Sequence, residues 1–262
     1  MAAQETLESK TPDVSIIIPL YNCSRYLPET LDSVRAQTFE SWEAILVDDN
    51  SDDDSYEIAL NYAEMDSRFV AIKQEANRGA GMARNRALPE ARGRFIAYLD
   101  SDDLWYPNKL ETQIRFMVEQ GYGACYTSYE TINEDGSHRN IIHVDKSTNY
   151  KRFLKKPVTC SHTIMFDTTI IDRSLLVMPD IRKRQDAATW LNVIKRYGCL
   201  HGLDKILAAN RKRPNSLSSN KASAVRNTWL LYTQIEQLKK PYAAYCLIWQ
   251  MYHAALKRMG DH

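Results

Sequence analysis

The sequence has no long apolar run, which argues against a membrane-spanning protein. No uninterrupted apolar stretch reaches the roughly 18 residues that a transmembrane helix needs. Residues 1–13 are polar and contain no apolar core of a secretion signal, so we expect a disordered lead-in. Together these absences predict a cytoplasmic protein.

Common phosphate, metal and nucleic-acid features are also missing. No GxGxxG follows the first predicted strand and no GxxxxGK[ST] occurs, which disfavours a dinucleotide fold and a P-loop. The five cysteines are scattered without a CxxC pair, which disfavours a zinc or thioredoxin site. The net charge of +1 gives no argument for a nucleic-acid partner. A phosphate group would therefore have to be held by a metal ion or by basic side chains.

The first half of the chain alternates between apolar runs and amphipathic segments. Helical spacing between the runs predicts helices, the first capped by Ser24 and the third covering 83–91. Such alternation predicts an α/β fold, with a Rossmann-like, doubly wound, mostly parallel sheet and helices on both faces. The continuous runs that predict strands cover 14–20, 44–47, 69–72 and 95–99.

Carboxylates follow two of these predicted strands. Asp48 and Asp49 come after the second strand, and Asp100, Asp102 and Asp103 come after the fourth. In an open α/β sheet the carboxyl ends of the strands form the ligand edge. Like charges so close together repel one another unless a cation offsets them, and Mg²⁺ and Mn²⁺ prefer carboxylate oxygen. The clusters predict a metal–phosphate site; the alternative is a solvated acidic turn that caps the next helix.

A basic, glycine-containing segment leads toward the second acidic cluster. Arg78, Arg84 and Arg86 lie in it and are available to pair with phosphate. Gly79 and Gly81 would let the backbone approach a ligand. The alternative is a surface helix whose arginines balance the acidic loops.

Four motifs in this order resemble glycosyltransferase family 2. The resemblance is dense over about 14–115 and more diffuse to about 221. It implies the GT-A fold, a nucleoside-diphosphate-sugar donor and inversion at the anomeric carbon. The motifs are VSIIIPLYN from Val14, LVDDNS from Leu46, NRGAGMARN from Asn77 and YLDSDD from Tyr98.

The resemblance also implies roles for residues within these motifs. Asp49 would accept the uracil N3–H, and Arg84 would lie near the base or the diphosphate. Asp102 would be the direct Mn²⁺ or Mg²⁺ ligand, and Asp100 would contact the ribose or the metal with its water. Asp103 would face the donor sugar or the acceptor. The residues that would cradle the base and ribose are Pro19, Tyr21, Asp48 and Asp49.

An inverting transfer also needs a general base for the acceptor hydroxyl. The family resemblance places this base at the start of a helix in the second half, and Asp186 matches it. Gln185 stands where the family usually has a first acid, so Asp186 is the remaining carboxylate there. The alternative is that Asp186 only caps its helix. For His162 two interpretations stay open: a lining of the acceptor cleft, or a structural histidine.

A basic, serine-rich segment over 210–221 follows the last predicted strand, at 203–209. It resembles a loop of related polysaccharide transferases, although Asn210 stands where tyrosine is usual. Arg211 and Arg213 are candidates to pair with the diphosphate, because guanidinium groups match phosphate oxygens. A flexible basic linker is the alternative.

The C-terminal segment is rich in aromatic residues, and Pro241 predicts that it forms two helices. Basic residues beside the aromatics would suit a membrane interface, whereas the alternatives are packing on the protein's own domain or on a second copy in a homodimer. The domain organisation predicted for the chain is a nucleotide-sugar half at 14–120, an acceptor half at 121–221 and C-terminal helices at 222–262.

These observations predict a metal-dependent, inverting transferase. It would move glucose or galactose from a UDP-sugar to a saccharide acceptor. The resemblance implies that this acceptor is an undecaprenyl-diphosphate-linked intermediate of bacterial surface polysaccharide. It would be cytoplasmic, at the inner face of the membrane if the tail binds there. Two alternatives stay open. One is a non-catalytic sugar-nucleotide-binding module. The other is an Asp-nucleophile phosphohydrolase, which would need Thr or Val where Leu104 stands.

Overall fold

A single mixed sheet runs through the protein. The computed structural model describes residues 11–157, 159–213 and 221–259, so most of the predicted lead-in lies outside the described residues. The ten described strands are β1 (Val14–Leu20), β2 (Trp42–Asp48), β3 (Phe69–Lys73), β4 (Phe95–Tyr98), β5 (Leu104–Trp105), β6 (Ala124–Ile132), β7 (His138–Ile142), β8 (Ser147–Asn149), β9 (Met165–Asp167) and β10 (Cys199–Arg211).

Helices cover both faces of this sheet. Short 3-10 helices lie at Ser161–Thr163 and Arg173–Leu176, and a π-helical turn lies at Leu231–Ile235. The described α-helices are α1 (Leu27–Arg35), α2 (Ser55–Met65), α3 (Ala80–Ala87), α4 (Lys109–Gln120), α5 (Tyr150–Lys155), α6 (Gln185–Tyr197), α7 (Lys221–Leu230) and α8 (Lys240–Met259).

The sheet order is β3-β2-β1-β4-β9-β6-β10-β5, with β7 beside β6 and β8 beside β10. β1 pairs in parallel with β2 and β4, and β2 pairs in parallel with β3. β9 is antiparallel to both β4 and β6, while β6 is parallel to β10. Six strands therefore run in one direction, and the prediction of a mostly parallel, doubly wound sheet is confirmed.

This direction brings the candidate residues to one edge. From β1 the chain moves to β2 and β3 on one side and then returns to β4 on the other side. Such a reversal opens a crevice at the carboxyl ends of the central strands, where ligands bind in α/β sheets. β6 and β10 end at the same edge, so residues from both halves of the chain meet there. The two halves predicted on either side of residue 120 therefore share one continuous sheet, and the division between them stays a prediction.

The two faces of the sheet have separate apolar cores. One core includes α1, α2 and α4, with Leu31, Ala59 and Leu110 fully buried. The other includes α3 and α6, with Ala83 and Trp190 fully buried. β1 and β2 are buried along their whole length, as continuous apolar runs predict for strands covered on both faces.

Two local predictions were wrong. Ser24 does not cap α1, because that helix begins at Leu27 and has no side-chain cap. The Ser24 backbone N–H instead donates to Asp53 Oδ2 at 2.9 Å. The third helix begins at Ala80 rather than at residue 83, and it ends at Ala87. Gly79 has a φ of 94°, which turns the chain directly into the helix.

The end of the chain is helical, as predicted. Pro241 lies in the first turn of α8, where proline is tolerated because that N–H has no partner within the helix. β10 extends further than predicted, so Asn210 and Arg211 belong to a strand rather than to a loop. Residues 214–220 of the predicted basic loop lie outside the described residues.

A lysine of α4 is buried against the ring of Trp105. Lys109 in α4 is fully buried, and its Nζ donates to Gln113 Oε1 at 2.7 Å. Nζ also lies 4.0 Å from the centre of the Trp105 ring, a contact that favours the charged form. Burial lowers the pKa of Lys109 from 10.5 to about 7.

Lys109→Met should change the pH dependence of stability. An unfolded lysine stays protonated up to pH 10.5, whereas the folded one loses its proton from about pH 7. The unfolded state then binds more protons, so the free energy of unfolding rises with pH, by at most about 1.4 kcal/mol per pH unit. Relative to wild type, the methionine variant should gain most below pH 7 and lose that gain toward pH 10. Urea unfolding across this range measures it.

The exposed Lys205 supplies the control, as Lys205→Met should show no such trend. A difference between Lys109→Met and wild type that is constant with pH would mean that Lys109 stays charged in the folded protein.

Candidate active site

The carboxylate of Asp103 is buried where the loop after β4 meets the end of β10. Its Oδ1 accepts the Arg211 backbone N–H at 2.9 Å, and Asn210 Nδ2 lies 3.0 Å from both carboxylate oxygens. His162 Nδ1 lies 2.7 Å from Oδ2, and His162 is itself fully buried. The structure thus favours the structural interpretation of His162. The predicted contact between Asp103 and a sugar stays a prediction.

The charge of the neighbouring Asp102 carboxylate is only partly compensated by basic side chains. Burial raises the pKa of its carboxyl to about 7; the charge of Asp103 adds to the rise and Arg213 opposes it. Arg213 Nε lies 2.6 Å from Asp102 Oδ2. For Asp103, burial also raises the pKa, but His162 and the bonds from Arg211 and Asn210 outweigh burial and lower it below its usual value.

Helix α3 is attached to the segment after β9 and to residues 100–103, the acidic loop that follows β4. The buried guanidinium of Arg84 forms an ion pair with Asp100, so the structure brings these two predicted site residues together. Asn85 donates to the Met178 backbone oxygen and accepts from its N–H, both at 2.7 Å. The Arg84 ion pair therefore fastens α3 to Asp100, and the two Asn85 bonds fasten it to the backbone at Met178.

Asp49 holds the beginning of α3. Its carboxylate accepts three hydrogen bonds of 2.7 Å, from Gln74 Nε2 and from the backbone N–H groups of Arg78 and Gly79. Asp48 Oδ2 accepts the Ser51 N–H at 3.0 Å. Asp48 Oδ1, in contrast, is a buried oxygen with no hydrogen-bond partner among the described residues. The base-reading role of Asp49 stays a prediction, and Asp48 has the freer acceptor.

The start of the same crevice is formed by the end of β1. Pro19 is buried within β1, and Tyr21 directly after it is 48% exposed. Asn22 and Asn50 adopt positive φ angles of 46° and 60°, which asparagine tolerates better than most residues. Tyr21 is therefore accessible for stacking on a planar ligand, whereas Pro19 would act through its backbone.

Asp186 lies in the first turn of α6 and is partly exposed. The cap position is held by Arg184 in the left-handed conformation, with a φ of 67°, so Asp186 is not the capping residue. The positive end of the helix dipole stabilises a carboxylate at this position. A residue held at an uncommon φ beside a candidate base is typical of functional sites.

The Asp186 segment contacts the third motif. A Cβ added to Gly81 would lie 2.8 Å from Gln185 Cγ, so glycine is needed for this close approach. Arg182 Nη1 donates to Asn77 Oδ1 at 2.5 Å and Nη2 to the Asn77 backbone oxygen at 3.1 Å. The candidate base therefore adjoins the helix that carries Arg84.

The two basic candidates differ in what they contact. Arg211 is buried and donates from Nε to the Asp102 backbone oxygen at 3.1 Å, and from Nη2 to Glu29 Oε2 at 2.6 Å. Its Nη1 donates to the Glu134 backbone oxygen at 2.9 Å. Arg213 is partly exposed and also lines an open cavity of about 550 Å³ with Arg25 and Lys212 among others. The diphosphate roles of both arginines stay predictions, and Arg213 has the freer side chain.

The acidic loop could hold a hard divalent cation. Asp100, Asp103 and His162 each offer one ligand atom, and these atoms lie within 4.8 Å of one another. Carboxylate oxygens are the donors that Mg²⁺ and Mn²⁺ prefer, and the raised pKa of Asp102 marks a carboxyl that a further cation would stabilise as the anion. The donor set therefore fits such an ion, and the direct ligand role of Asp102 stays a prediction.

Three contributors to the site have no clear signal in the sequence. They are the contacts of Asn210 and of His162 with Asp103, and the contact of Glu29 with Arg211. Each contact joins segments that are distant in sequence. Asn210 stood out only as a departure from the family pattern. Glu29 gave no signal, because an acid in the first turn of an amphipathic helix is ordinary.

Comparison with known proteins identifies the family. The model of Glycosyl transferase family 2 matches residues 15–175. The chain belongs to glycosyl transferase family 2. It is a glycosyltransferase, and the family assignment made from its four motifs is confirmed.

Two curated relatives cover most of the chain. TuaG of Bacillus subtilis strain 168, named for teichuronic acid biosynthesis, is 39% identical over 95% of this chain and 98% of its own. The other is from Escherichia coli and is named UDP-Glc:alpha-D-GlcNAc-diphosphoundecaprenol beta-1,3-glucosyltransferase WfgD. It is 35% identical over 82% of this chain and 83% of its own.

Solved structures confirm the GT-A fold. Residues 1–349 of Staphylococcus aureus TarS, in complex with UDP-GlcNAc, match with a TM-score of 0.69 and 22% identity, over 91% of this chain and 71% of that one. The mannosyltransferase PcManGT from Pyrobaculum calidifontis, in complex with GDP-Man and Mn2+, matches with a TM-score of 0.64 and 18% identity, over 95% of this chain and 76% of its own.

Asp49→Ala should destabilise the protein, because two backbone N–H groups and Gln74 would lose their acceptor. Leaving such groups unpaired costs about 1–3 kcal/mol. Urea unfolding compares this variant with Asp52→Ala, a change at an exposed carboxylate in the same loop. Equal unfolding free energies for the two variants would show that Asp49 does not hold the start of α3.

Proposed function

We propose that this glycosyltransferase is metal-dependent and inverting, and that it moves glucose or galactose from a UDP-sugar to a saccharide linked to undecaprenyl diphosphate. The observation that carries the proposal is the position of α3. Arg84 of this helix pairs with Asp100 of the acidic loop, and Gly81 packs on Gln185 beside Asp186. Donor-binding carboxylates and a candidate base therefore adjoin the same short helix.

The donor side is assigned to residues at the ends of β1, β2 and β4. We assign the base and ribose to Pro19, Tyr21, Asp48 and Asp49, with Asp48 Oδ1 as the freest buried acceptor. Arg84 and Arg213 would pair with the diphosphate. Two findings support UDP as the carrier: TarS is described in complex with UDP and UDP-GlcNAc, and WfgD is named as acting on UDP-Glc.

The metal would be Mn²⁺ or Mg²⁺, held by Asp102 and Asp100. PcManGT, described in complex with Mn2+, supports this choice. When bound, the ion supplies positive charge that offsets the negative charge developing on the leaving diphosphate. Arg213 Nε and such a cation would compete for Asp102 Oδ2. Between Arg211 and Arg213, Arg213 is therefore the better candidate to leave its carboxylate and pair with the diphosphate.

Asp186 would take the proton of the acceptor hydroxyl. A single displacement at the anomeric carbon inverts its configuration and needs one base on the acceptor side. Asp186 is partly exposed, and its charge is stabilised by the start of α6. Gln185, which stands where the first acid is usual, is buried and packs on Gly81, so it has a structural contact instead.

The acceptor assignment rests on the relatives. WfgD and a second E. coli protein, WfaP, are named as acting on a diphosphoundecaprenol-linked sugar, and TuaG is named for teichuronic acid biosynthesis. Such an acceptor would place the enzyme in the cytoplasm at the inner membrane face, with residues 121–221 on the acceptor side. The family match favours neither the phosphohydrolase nor the non-catalytic module.

Asp102→Ala should abolish the metal dependence of donor binding while the fold stays intact. The reason is that the predicted direct ligand would be lost and Arg213 would be left without its carboxylate. Calorimetric titration with UDP-glucose and UDP-galactose, with and without Mn²⁺, measures this. Asp54→Ala, at an exposed carboxylate without a capping bond, is the control. An unchanged response to Mn²⁺ in Asp102→Ala would reject the metal role of Asp102.

Asp186→Asn should keep donor binding and lose about 10²–10⁴ in the rate of transfer, because the amide has a similar shape but no basicity. Turnover is measured with saturating UDP-sugar and a lipid-linked saccharide, beside a melting curve. Asp180→Asn, at an exposed carboxylate six positions earlier, should behave like wild type. Near-normal turnover of a folded Asp186→Asn variant would move the base elsewhere.

A further inference from the structure

Helix α8 carries an unusual share of the exposed apolar surface. Fourteen large hydrophobic residues are exposed in the described part of the chain, and six of them lie on this one helix. Four of the six are aromatic. The six are Tyr242, Tyr245, Ile248, Trp249, Met251 and Tyr252.

These side chains form one continuous face. At about 100° per residue, positions 242, 245, 249 and 252 follow one another along a stripe of the helix, and 248 and 251 widen it. The opposite side faces the protein, with Ala243 and Cys246 fully buried. On that inner side Gln250 Oε1 accepts a hydrogen bond of 3.1 Å from Tyr232. The helix therefore turns its large aromatic side chains to the solvent and packs smaller ones, such as Ala243 and Cys246, against the protein.

The charges around this aromatic face are basic. Helix α8 contains no Asp or Glu, and Lys239 and Lys240 at its start are exposed. Lys155 of α5 places Nζ 5.9 Å from the centre of the Tyr245 ring, and Lys151 on the same helix is exposed. One acid shortly before the helix, Glu236, has a buried side chain that pairs with Lys195 at 3.2 Å.

We propose that the aromatic face of α8 docks on the interface of a membrane that contains anionic lipid. Trp and Tyr prefer the headgroup level, and adjacent lysines are attracted to anionic headgroups. A second copy of the chain would bring the same lysines against themselves. Within the described residues no helix has the length and apolarity to cross a bilayer, so the contact is peripheral.

This surface lies on the same side of the sheet as the candidate base. Ala243 and Cys246 of α8 belong to the same apolar core as Trp190 and Leu191 of α6, the helix that begins beside Asp186. Lys183, just before α6, donates to Ser223 Oγ of α7 at 2.8 Å. Docking through α8 would hold this side of the enzyme at the lipid surface. That consequence rests on the proposed lipid-linked acceptor, whereas vesicle binding does not.

The experiment is sedimentation of the full chain with vesicles of phosphatidylethanolamine and phosphatidylglycerol, and with vesicles of phosphatidylcholine alone. Wild type should bind the anionic vesicles more tightly, and salt should weaken the binding. Trp249→Ser with Tyr252→Ser should bind about tenfold more weakly or worse, because two aromatic rings no longer leave water. Lys151→Glu with Lys155→Glu should lose the preference for anionic vesicles.

The matched control replaces two exposed apolar residues elsewhere, Met65→Ser with Val118→Ser, and should bind like wild type. Wild type that fails to sediment with anionic vesicles overturns the proposal, as does a Trp249/Tyr252 variant that binds equally well. A wild-type dimer in light scattering that this variant converts to a monomer also overturns it, since a second copy then covers the face.

Transfer to a water-soluble saccharide separates this inference from the proposed function. The Trp249/Tyr252 variant should keep that activity while losing transfer to acceptor embedded in vesicles. If wild type transfers sugar to no lipid-linked acceptor yet binds vesicles through α8, the acceptor assignment fails and the docking surface stands.

Discussion

The candidate site depends on one buried negative charge, the carboxylate of Asp103. A buried carboxylate must be compensated by polar partners, and here the end of β10 and the His162 ring supply them. This compensation fastens the loop after β4 to the end of β10, although the two are more than a hundred positions apart in sequence. It also leaves Asp102 beside a second negative charge, which is why that carboxyl attracts Arg213 and suits a divalent cation.

Helix α3 connects the acidic loop to the other segments at this edge of the sheet. Asp49 binds the N–H groups at its start, Arg84 pairs with Asp100, and Gly81 allows Gln185 to approach. Two of these three contacts use carboxylates that the motifs suggested for ligand binding. The same residues thus shape the crevice itself, so a substitution there would change stability as well as the proposed donor binding. Variants that keep the fold, such as Asp186→Asn, are therefore more informative than those at Asp49.

Sequence predicts the fold of this chain better than it predicts the contacts within the site. Uninterrupted apolar runs and regular alternation indicate β1, β2 and β4 and their direction, because burial on both faces demands such runs. Helix starts are less predictable: Ser24 has the right residue type for a cap, yet α1 begins only at Leu27. Contacts such as Asn210 with Asp103 are set by how distant strands pair, and no local pattern reports that pairing.

In the C-terminal helix the sequence predicts the helix itself but does not predict which of its sides packs on the protein. Its aromatic spacing predicts an amphipathic helix, and the usual expectation is that the apolar side packs inward. In α8 the inner side has small residues such as Ala243, which permit close packing, and the large rings remain outside. Periodicity cannot distinguish these two arrangements, because both have the same apolar stripe. Exposure of so much aromatic surface is unfavourable in water, so a partner that removes it from water accounts for the helix better than solvent does.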